Sequence, residues 1–341
     1  MPILQNVTEW NNISYASSEE RAILRRNYVI FAFYAIEGFL QVSANILILL
    51  TIFLNKPLHG KEYILPAGLA LGDMCQGGSQ LTAGTYRYYL MLSNTYDLRT
   101  HAWSCFLHLQ NIFCFLGSYL VPTMLCLISM ERFLACYSIE LYCRLRSTHV
   151  LLAVAVGYLI CILHFAVDGV ASYLSPRKLE LQLYCYTTTS VPQWKAVVYW
   201  VYQVIFAYLC VIIYIAALVA LRLSRRHHLS AIMKVNKRRQ ARVTHMLLYM
   251  VLFTFILYCI PLLIYVYMDF TGVSAEVRFY VGPVLWIVLN LNSANNIIIY
   301  FMKNKDMRAG VVRLLPLFAG QLALVTPITI SGGLTTVRTR K

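Results

Sequence analysis

The sequence predicts an all-α membrane protein, a seven-transmembrane helix bundle with a short amphipathic cytoplasmic helix, and three observations carry that expectation. Of 341 residues, 59% are hydrophobic and only 13% are charged, against roughly 45–50% and roughly 25% in soluble domains. Apolar runs of the ~20 residues needed to cross a bilayer recur seven times. They lie at about 28 to 54, 63 to 91, 104 to 130, 150 to 174, 196 to 221, 243 to 268 and 279 to 302. The third observation is charge placement: the net +15 collects in alternate loops. Seven crossings with short loops fill the chain, so a separate catalytic domain does not fit and a fibrous or disordered chain is excluded.

Taken in order, the seven segments hold only Glu37, Asp73, Arg87 and Asp168 as formally charged residues. In lipid such residues must face the bundle interior, the interface or water. The second segment, with Ala67-Gly68-Leu69-Ala70-Leu71-Gly72-Asp73 and Gly77-Gly78, is too polar and glycine-rich to face lipid all round, so its neighbours must cover it. After the seventh, residues 304 to 318 read as an amphipathic helix lying on the membrane with Val311, Val312, Leu315 and Phe318 inward. A spanning eighth segment is disfavoured by Arg313, Pro316, Pro327 and Gly332-Gly333. No Cys follows Cys259, so the tail lacks a thiol for palmitoylation. Residues 1 to 27 are polar with no apolar core, so the first helix acts as its own insertion signal. The expected divisions are a tail at 1–27, the bundle at 28–302 and the cytoplasmic helix and tail at 303–341.

Segments 55 to 62, 131 to 149, 222 to 242 and 303 to 341 hold 20 of the 29 Lys and Arg against four acids, Glu62, Glu131, Glu140 and Asp306. That face carries +16 and the rest nearly cancels, which makes it cytoplasmic and removes any need for a nucleic-acid partner. The amino terminus then lies outside and the carboxyl terminus inside, at the plasma membrane. Arg21, Arg25 and Arg26 before the first helix, against Lys56 and Lys61 after it, point locally the other way. Two sequons, Asn6-Val7-Thr8 and Asn12-Ile13-Ser14, support an outside, glycosylated amino terminus.

Several polar residues sit deep in apolar segments: Asn45 in the first, Asp73 in the second, and Asn292 and Asn296 in the seventh. The third helix ends in Glu131-Arg132-Phe133, the sixth contains Phe255 and Cys259-Ile260-Pro261, and the seventh ends in Asn296-Ile297-Ile298-Ile299-Tyr300. Together these resemble the rhodopsin-like (class A) G-protein-coupled receptors. They match the Leu-Ala-x-x-Asp, Asp/Glu-Arg-Tyr, Phe-x-x-x-Trp-x-Pro and Asn-Pro-x-x-Tyr signatures of that family in order, across residues 28 to about 315. The stretch from Cys105-Phe106-Leu107 to Met130-Glu131-Arg132-Phe133-Leu134-Ala135-Cys136 is most similar to nematode serpentine chemoreceptors of the Srsx kind.

The resemblance assigns roles residue by residue. Asp73 is costly at bilayer depth unless hydrogen-bonded, so Asn45, Asn292 and Asn296 are its natural partners, either as a switching network or as interhelical glue. The family can hold sodium there, but Val121 stands where a hydroxyl usually helps. Glu131 and Arg132 form either a latch released toward the G protein or a snorkelling pair. Lys237, Arg238, Arg239 and Arg242 replace the acidic partner at the foot of helix six. Pro261 supplies a hinge for outward movement of helix six. Cys259 replaces the family's Trp, leaving Phe255 to carry more of that coupling. Ile297 replaces Pro, with Asn296 and Tyr300 retained, and Tyr214 is either a second active-state tyrosine or an interfacial anchor. Cysteines 114, 126, 161, 210 and 259 read as buried hydrophobes, whereas Cys105 and Cys185 fall where the family places its outer disulfide, free thiols being the alternative.

The resemblance further implies an extracellular small molecule or short peptide, a heterotrimeric G protein and membrane lipid as partners, with a chemosensory or neuromodulatory role. Cys114 stands where amine receptors keep Asp, and Asn290 where opsins keep the retinal Lys, so no cofactor is called for. Arg87 beside Tyr86, Tyr88 and Tyr89 either meets a carboxylate or snorkels in an aromatic belt. Ser118, Tyr119, Tyr202, Leu262, Val266 and Trp286 complete the expected pocket, which suits an uncharged or anionic ligand. A metal hydrolase is disfavoured because the eight His include no i,i+4 helical pair, and the chain is read as no enzyme. A seven-helix transporter without G-protein coupling is the alternative, though it more often shows paired intramembrane charges.

Overall fold

The computed structural model describes residues 18–95, 98–175, 181–223, 248, 251–271, 273–303 and 306–314, with the helix alone described for 294–303. Within them, seven long helices form an all-α bundle: Ser18–Leu54, Ile64–Leu92, Leu109–Tyr137, Ser147–Leu174, Gln193–Leu223, Val251–Phe270 and Ala275–Lys303. They are called helices one to seven. Five of the seven, the first, third, fourth, fifth and sixth, are long and apolar enough to cross a membrane on their own composition. Helices two and seven are the exceptions, and the sequence anticipates helix two, whose Gly- and polar-rich stretch is buried against neighbours.

Helix three is the axis of the bundle: 20 of its 29 residues are buried. Helix four has only seven buried residues in 28 and lies at the periphery with a broad apolar face outward. Helix one packs tightly along helix two because glycines let the backbones meet. A Cβ at Gly38 would stand 2.2 Å from the Leu81 nitrogen, and one at Gly84 would stand 2.4 Å from the Ala35 nitrogen. Helix one also starts earlier than its apolar run. The Glu19-Glu20-Arg21-Ala22 stretch consists of good helix formers, and Arg26 donates to the Tyr280 carbonyl (3.2 Å) with its guanidinium over the Tyr280 ring (4.5 Å).

Helix six contains a π-turn at Phe255–Cys259, where the Ile260 amide donates to the Phe255 carbonyl. Pro261 explains it: the ring has no N–H and crowds the carbonyl of the preceding turn, and one wider turn makes room. Helix seven, with Ile297 in place of Pro, runs unbroken from Ala275 to Lys303. Two short strands, β1 (Arg99–Thr100) and β2 (Leu181–Gln182), pair antiparallel with Arg99 opposite Gln182, joining the loop after helix two to the loop before helix five. A six-residue helix, Ile139–Arg144, follows helix three and is capped by Ser138.

Residues 306–314 are helical, with Met307, Gly310 and Leu314 buried. The inward face therefore differs from the expected one: Val312 is 55% exposed and Val311 only half-buried. Gly310 sets this rotation by lying against helix one, where an added Cβ would stand 2.7 Å from Thr51. Leu315 and Phe318 lie outside the described residues, as do Asn6, Asn12 and the basic segment carrying Lys237, Arg238, Arg239 and Arg242. Gly84→Leu should separate helices one and two and cost on the order of 1–3 kcal/mol or more, read as a lowered thermal midpoint of the purified protein; an unchanged midpoint would show that the close approach is dispensable.

Candidate functional site

At the outer end, Cys105 and Cys185 are joined by a disulfide, with Cα atoms 5.0 Å apart. Cys185 sits at φ 50°, in the left-handed region. Two buried amides at the head of helix three hold this strained segment. Gln110 donates to the Tyr184 and Cys185 carbonyls (3.1 and 3.0 Å), and Asn111 to those of Cys105 and Cys185 (2.8 and 3.2 Å). Arg87 joins them, its Nε donating to the Tyr184 carbonyl (3.0 Å) with the guanidinium over the Tyr186 ring (4.6 Å). Arg87 thus points inward and anchors the loop, while Tyr88 and Tyr89, on other faces of the same helix, are exposed. Tyr184 packs with Phe31, Tyr34, Leu90 and Met91, so the loop closes over helices one and two.

Below this roof lies a narrow cavity with about 10 Å³ of free space for a water-sized body, room for about one molecule. Gln76, Ser118, Val121, Gln203, Tyr258, Trp286, Asn292 and Ser293 line it. Tyr199 donates to Ser118 (2.8 Å) and Tyr258 to the Gln203 side-chain oxygen (3.0 Å). Gln203 Nε2 and Asn292 Nδ2 are buried with no acceptor among the described residues. Of the pocket residues expected from sequence, the cavity gathers Ser118 and Trp286. Cys114 and Leu262 are fully enclosed in the adjoining core, Val266 packs at its edge, and Asn290 turns toward helix one, its carbonyl accepting from Gln41 (2.6 Å).

Tyr119 turns to helix four instead, and Tyr202 to helix three. Tyr119 donates to Asp168 Oδ2 (2.6 Å), whose Oδ1 lies 2.8 Å from Lys195 Nζ. Tyr202 pairs with Thr123 Oγ1 (2.5 Å). The Asp168–Lys195 pair is buried and ties helices three, four and five near their outer ends. Sequence alone left Lys195 just outside the apolar run, although helix five begins at Gln193.

In the polar core, Asp73 is fully buried and its Oδ1 accepts from Ser293 (2.7 Å). Ser293 is a partner the sequence run contained without flagging. Asn45 is buried too, but its nitrogen donates to the Gln41 carbonyl (3.0 Å), Asn292 faces the cavity, and the side chains of Asn296 and Tyr300 lie outside the described residues. In helix six, Cys259 is fully buried, while Phe255 is 36% exposed, its ring edge-on to Tyr208 at 6.4 Å. The π-turn inserts extra backbone between these positions, so Tyr258 rather than Phe255 points into the core. Tyr208 donates to the Cys259 carbonyl beside the proline (3.3 Å).

At the inner end, Arg132 is 1% exposed. Its Nε donates to Glu131 Oε2 (2.9 Å) and its Nη2 to Glu131 Oε1, while Tyr142 from the short helix donates to Glu131 (3.0 Å) and accepts from Arg132 (3.4 Å). Lys61 fixes that helix through the Tyr142 and Leu145 carbonyls (2.5 and 2.9 Å) and lies 4.0 Å from the Tyr142 ring centroid. Burial, followed by the Glu131 carboxylate, pushes the Tyr142 phenol up to about 12 from 10. It therefore remains a donor below pH 10, and its contribution to stability is lost only as pH rises from 10 through about 12. Tyr214 is buried one helix away, in the core with Met124, Ile128 and Cys210. Neither Tyr142 nor Lys61 was legible as part of this cluster, because each belongs to a loop whose path only the folded chain defines.

A family model described as 7 transmembrane receptor (rhodopsin family) matches residues 44–300 of the chain. No curated protein matches it. Lys195→Met should leave the Asp168 carboxylate uncompensated and cost about 3–5 kcal/mol, with Asp168→Asn in the same chain recovering most of it; equal losses in the single and double variants, measured by thermal unfolding, would show the pair is not coupled.

Proposed function

The chain belongs to the rhodopsin family of seven-transmembrane receptors, and from that premise we propose that it binds an extracellular small molecule or short peptide and activates a heterotrimeric G protein by outward movement of helix six. The observation that carries this reading is the closed cluster of Glu131, Arg132 and Tyr142 at the inner end of helix three. The buried Arg132 guanidinium is bound by the Glu131 carboxylate beside it on helix three and by the Tyr142 phenol on a separate short helix, so a shift of that short helix against helix three would loosen it. The π-turn and Pro261 give helix six a place to flex, and Tyr258 places the core side of that turn at the cavity wall.

Ligand contact at the cavity would bias the two states by its differential affinity for them. The unpartnered amide nitrogens of Gln203 and Asn292 suit a ligand presenting a hydrogen-bond acceptor. Plasma-membrane residence with the amino terminus outside, glycans on Asn6 and Asn12, and a chemosensory or neuromodulatory role belong to the same proposal. Support for the orientation is the cytoplasmic excess of Lys and Arg. The buried Asp168–Lys195 pair is the kind of feature a transporter shows, yet it lies near the outer helix ends with Asp168 also bound by Tyr119. That placement favours a strut over a solute path.

Arg132→Ala should abolish agonist-dependent nucleotide exchange on a heterotrimeric G protein in membranes from expressing cells; exchange at the wild-type level would remove the latch from the mechanism. Tyr142→Phe deletes only the hydroxyl shared by Glu131 and Arg132. It should raise ligand-independent second-messenger output at least several-fold, at about 1.5–3 kcal/mol per lost hydrogen bond to a charged group, and unchanged basal output would assign Tyr142 a purely structural part.

A further inference from the structure

Helix one carries Glu37, Gln41 and Asn45 at i, i+4 and i+8, on one face. That face is seated on helix seven by the bond from Gln41 Nε2 to the Asn290 carbonyl (2.6 Å). Against helix two it meets Gly77, where a Cβ would stand 2.7 Å from the Gln41 Cβ and 3.2 Å from its Oε1. Three amides along this seam each use their nitrogen on a backbone carbonyl: Gln41 on Asn290, Asn45 on Gln41 (3.0 Å) and Asn290 on Trp286 (2.7 Å). Only the nitrogen of an amide can donate, so these bonds fix which way each group faces and leave its oxygen as the remaining atom.

Those three oxygens, Gln41 Oε1, Asn45 Oδ1 and Asn290 Oδ1, are buried with no donor among the described residues, and so are both carboxylate oxygens of Glu37. Gln80, three residues past Gly77 on helix two and 1% exposed, has neither amide atom partnered. The seam is thus rich in acceptors, contains a formal negative charge and supplies almost no donors. Buried polar atoms left this way are costly, and a buried carboxylate most of all. Water would satisfy some of the oxygens, whereas a cation would also balance the carboxylate in its ionised form.

We propose that helices one, two and seven enclose a site for one alkali-metal cation, held by Glu37, Gln41, Gln80 and Asn290. Carboxylate and amide oxygens are hard ligands, which suit hard cations. One carboxylate balances one positive charge. Among the described residues no three His, Cys, Asp or Glu side chains gather to hold a metal, so softer or divalent ions find no matching donor set. The site is separate from Asp73, whose Oδ1 accepts from Ser293 and which lies about two helical turns before Gln80 on helix two. An ion here would add to the Gln41–Asn290 bond in joining helix one to helix seven, and the inference does not depend on G-protein coupling.

The test uses the full-length protein in phosphatidylcholine nanodiscs. Its thermal midpoint is followed as sodium, potassium or lithium chloride replaces N-methylglucamine chloride at constant ionic strength. The expected result is a saturable rise in wild type that persists in Asp73→Asn, is lost in Glu37→Gln, and needs a higher ion concentration in Gln41→Leu. An equal rise in Glu37→Gln would place the ion elsewhere, loss of the rise in Asp73→Asn would assign it to Asp73, and no rise in wild type would mean the seam holds water or a proton; each overturns the proposal. Should Glu37→Gln fail to fold, an unchanged half-saturating concentration in Gln41→Leu would overturn it equally.

Discussion

A polar group surrounded by hydrocarbon has no solvent to fall back on, so every polar side chain carried into the bundle must find its partner there. That constraint organises this molecule from one end to the other. Helix three, the most enclosed element, meets it four times: Gln110 and Asn111 against loop carbonyls, Tyr119 against Asp168, and Arg132 against Glu131 and Tyr142. Apart from Glu131, which is Arg132's neighbour on helix three, each partner lies on a different segment of the chain. The demand for satisfaction therefore fixes where the outer loop, helices four and five, and the short inner helix must sit relative to helix three. Apolar packing alone, which is non-directional in lipid, would not choose among these arrangements.

The two ends use the constraint differently. At the outer end the disulfide, the Gln110 and Asn111 amides and Arg87 all converge on the carbonyls of residues 184 and 185, and the β1–β2 pair adds a backbone clasp. Several independent bonds hold one loop, so no single break frees it. At the other end the groups that hold the Arg132 guanidinium include the Glu131 carboxylate and the Tyr142 hydroxyl. One end thus gathers donors onto the backbone carbonyls of a loop, and the other joins a charged pair to the side chain of a short helix.

Much of the fold was legible because the bilayer imposes a period and a length that a hydrophobic count can detect. Segments matched helices to within a few residues where charge or Pro punctuates the sequence, as at Leu54 and Leu174. They missed where a charged residue lies inside a helix: Lys195 ended the readable run of helix five, and Arg21 to Arg26 hid the first turns of helix one. The inner pair Glu131 and Arg132 and the residues of the outer disulfide could be named from the family pattern. Tyr142, Lys61, Ser293 and the amides of Gln110 and Asn111 could not, since common residues acquire roles only through non-local proximity. Direction was the other loss. Arg87, Tyr119, Tyr202 and Asn290 were expected to line the pocket, but which side of its helix each presents to the cavity depends on rotations that spacing does not resolve.

Helix six shows what such a rotation does. An unbroken α-helix would stack Phe255 beneath Cys259 on the core face; the π-turn forced by Pro261 displaces Phe255 outward to Tyr208 and brings Tyr258 into contact with Gln203. The wide turn also frees carbonyls, and Tyr208 reaches one of them at Cys259. Two tyrosine hydroxyls thus tether helix six to helix five in the turn before the proline, one beside the cavity and one next to the partly exposed Phe255. Straightening or tightening the turn would shift both together, because a single backbone register sets their positions. A change at the Tyr258 side of the cavity is in this way mechanically continuous with the orientation of the inner half of helix six, although Cys259 itself contributes no bulky side chain to the transmission.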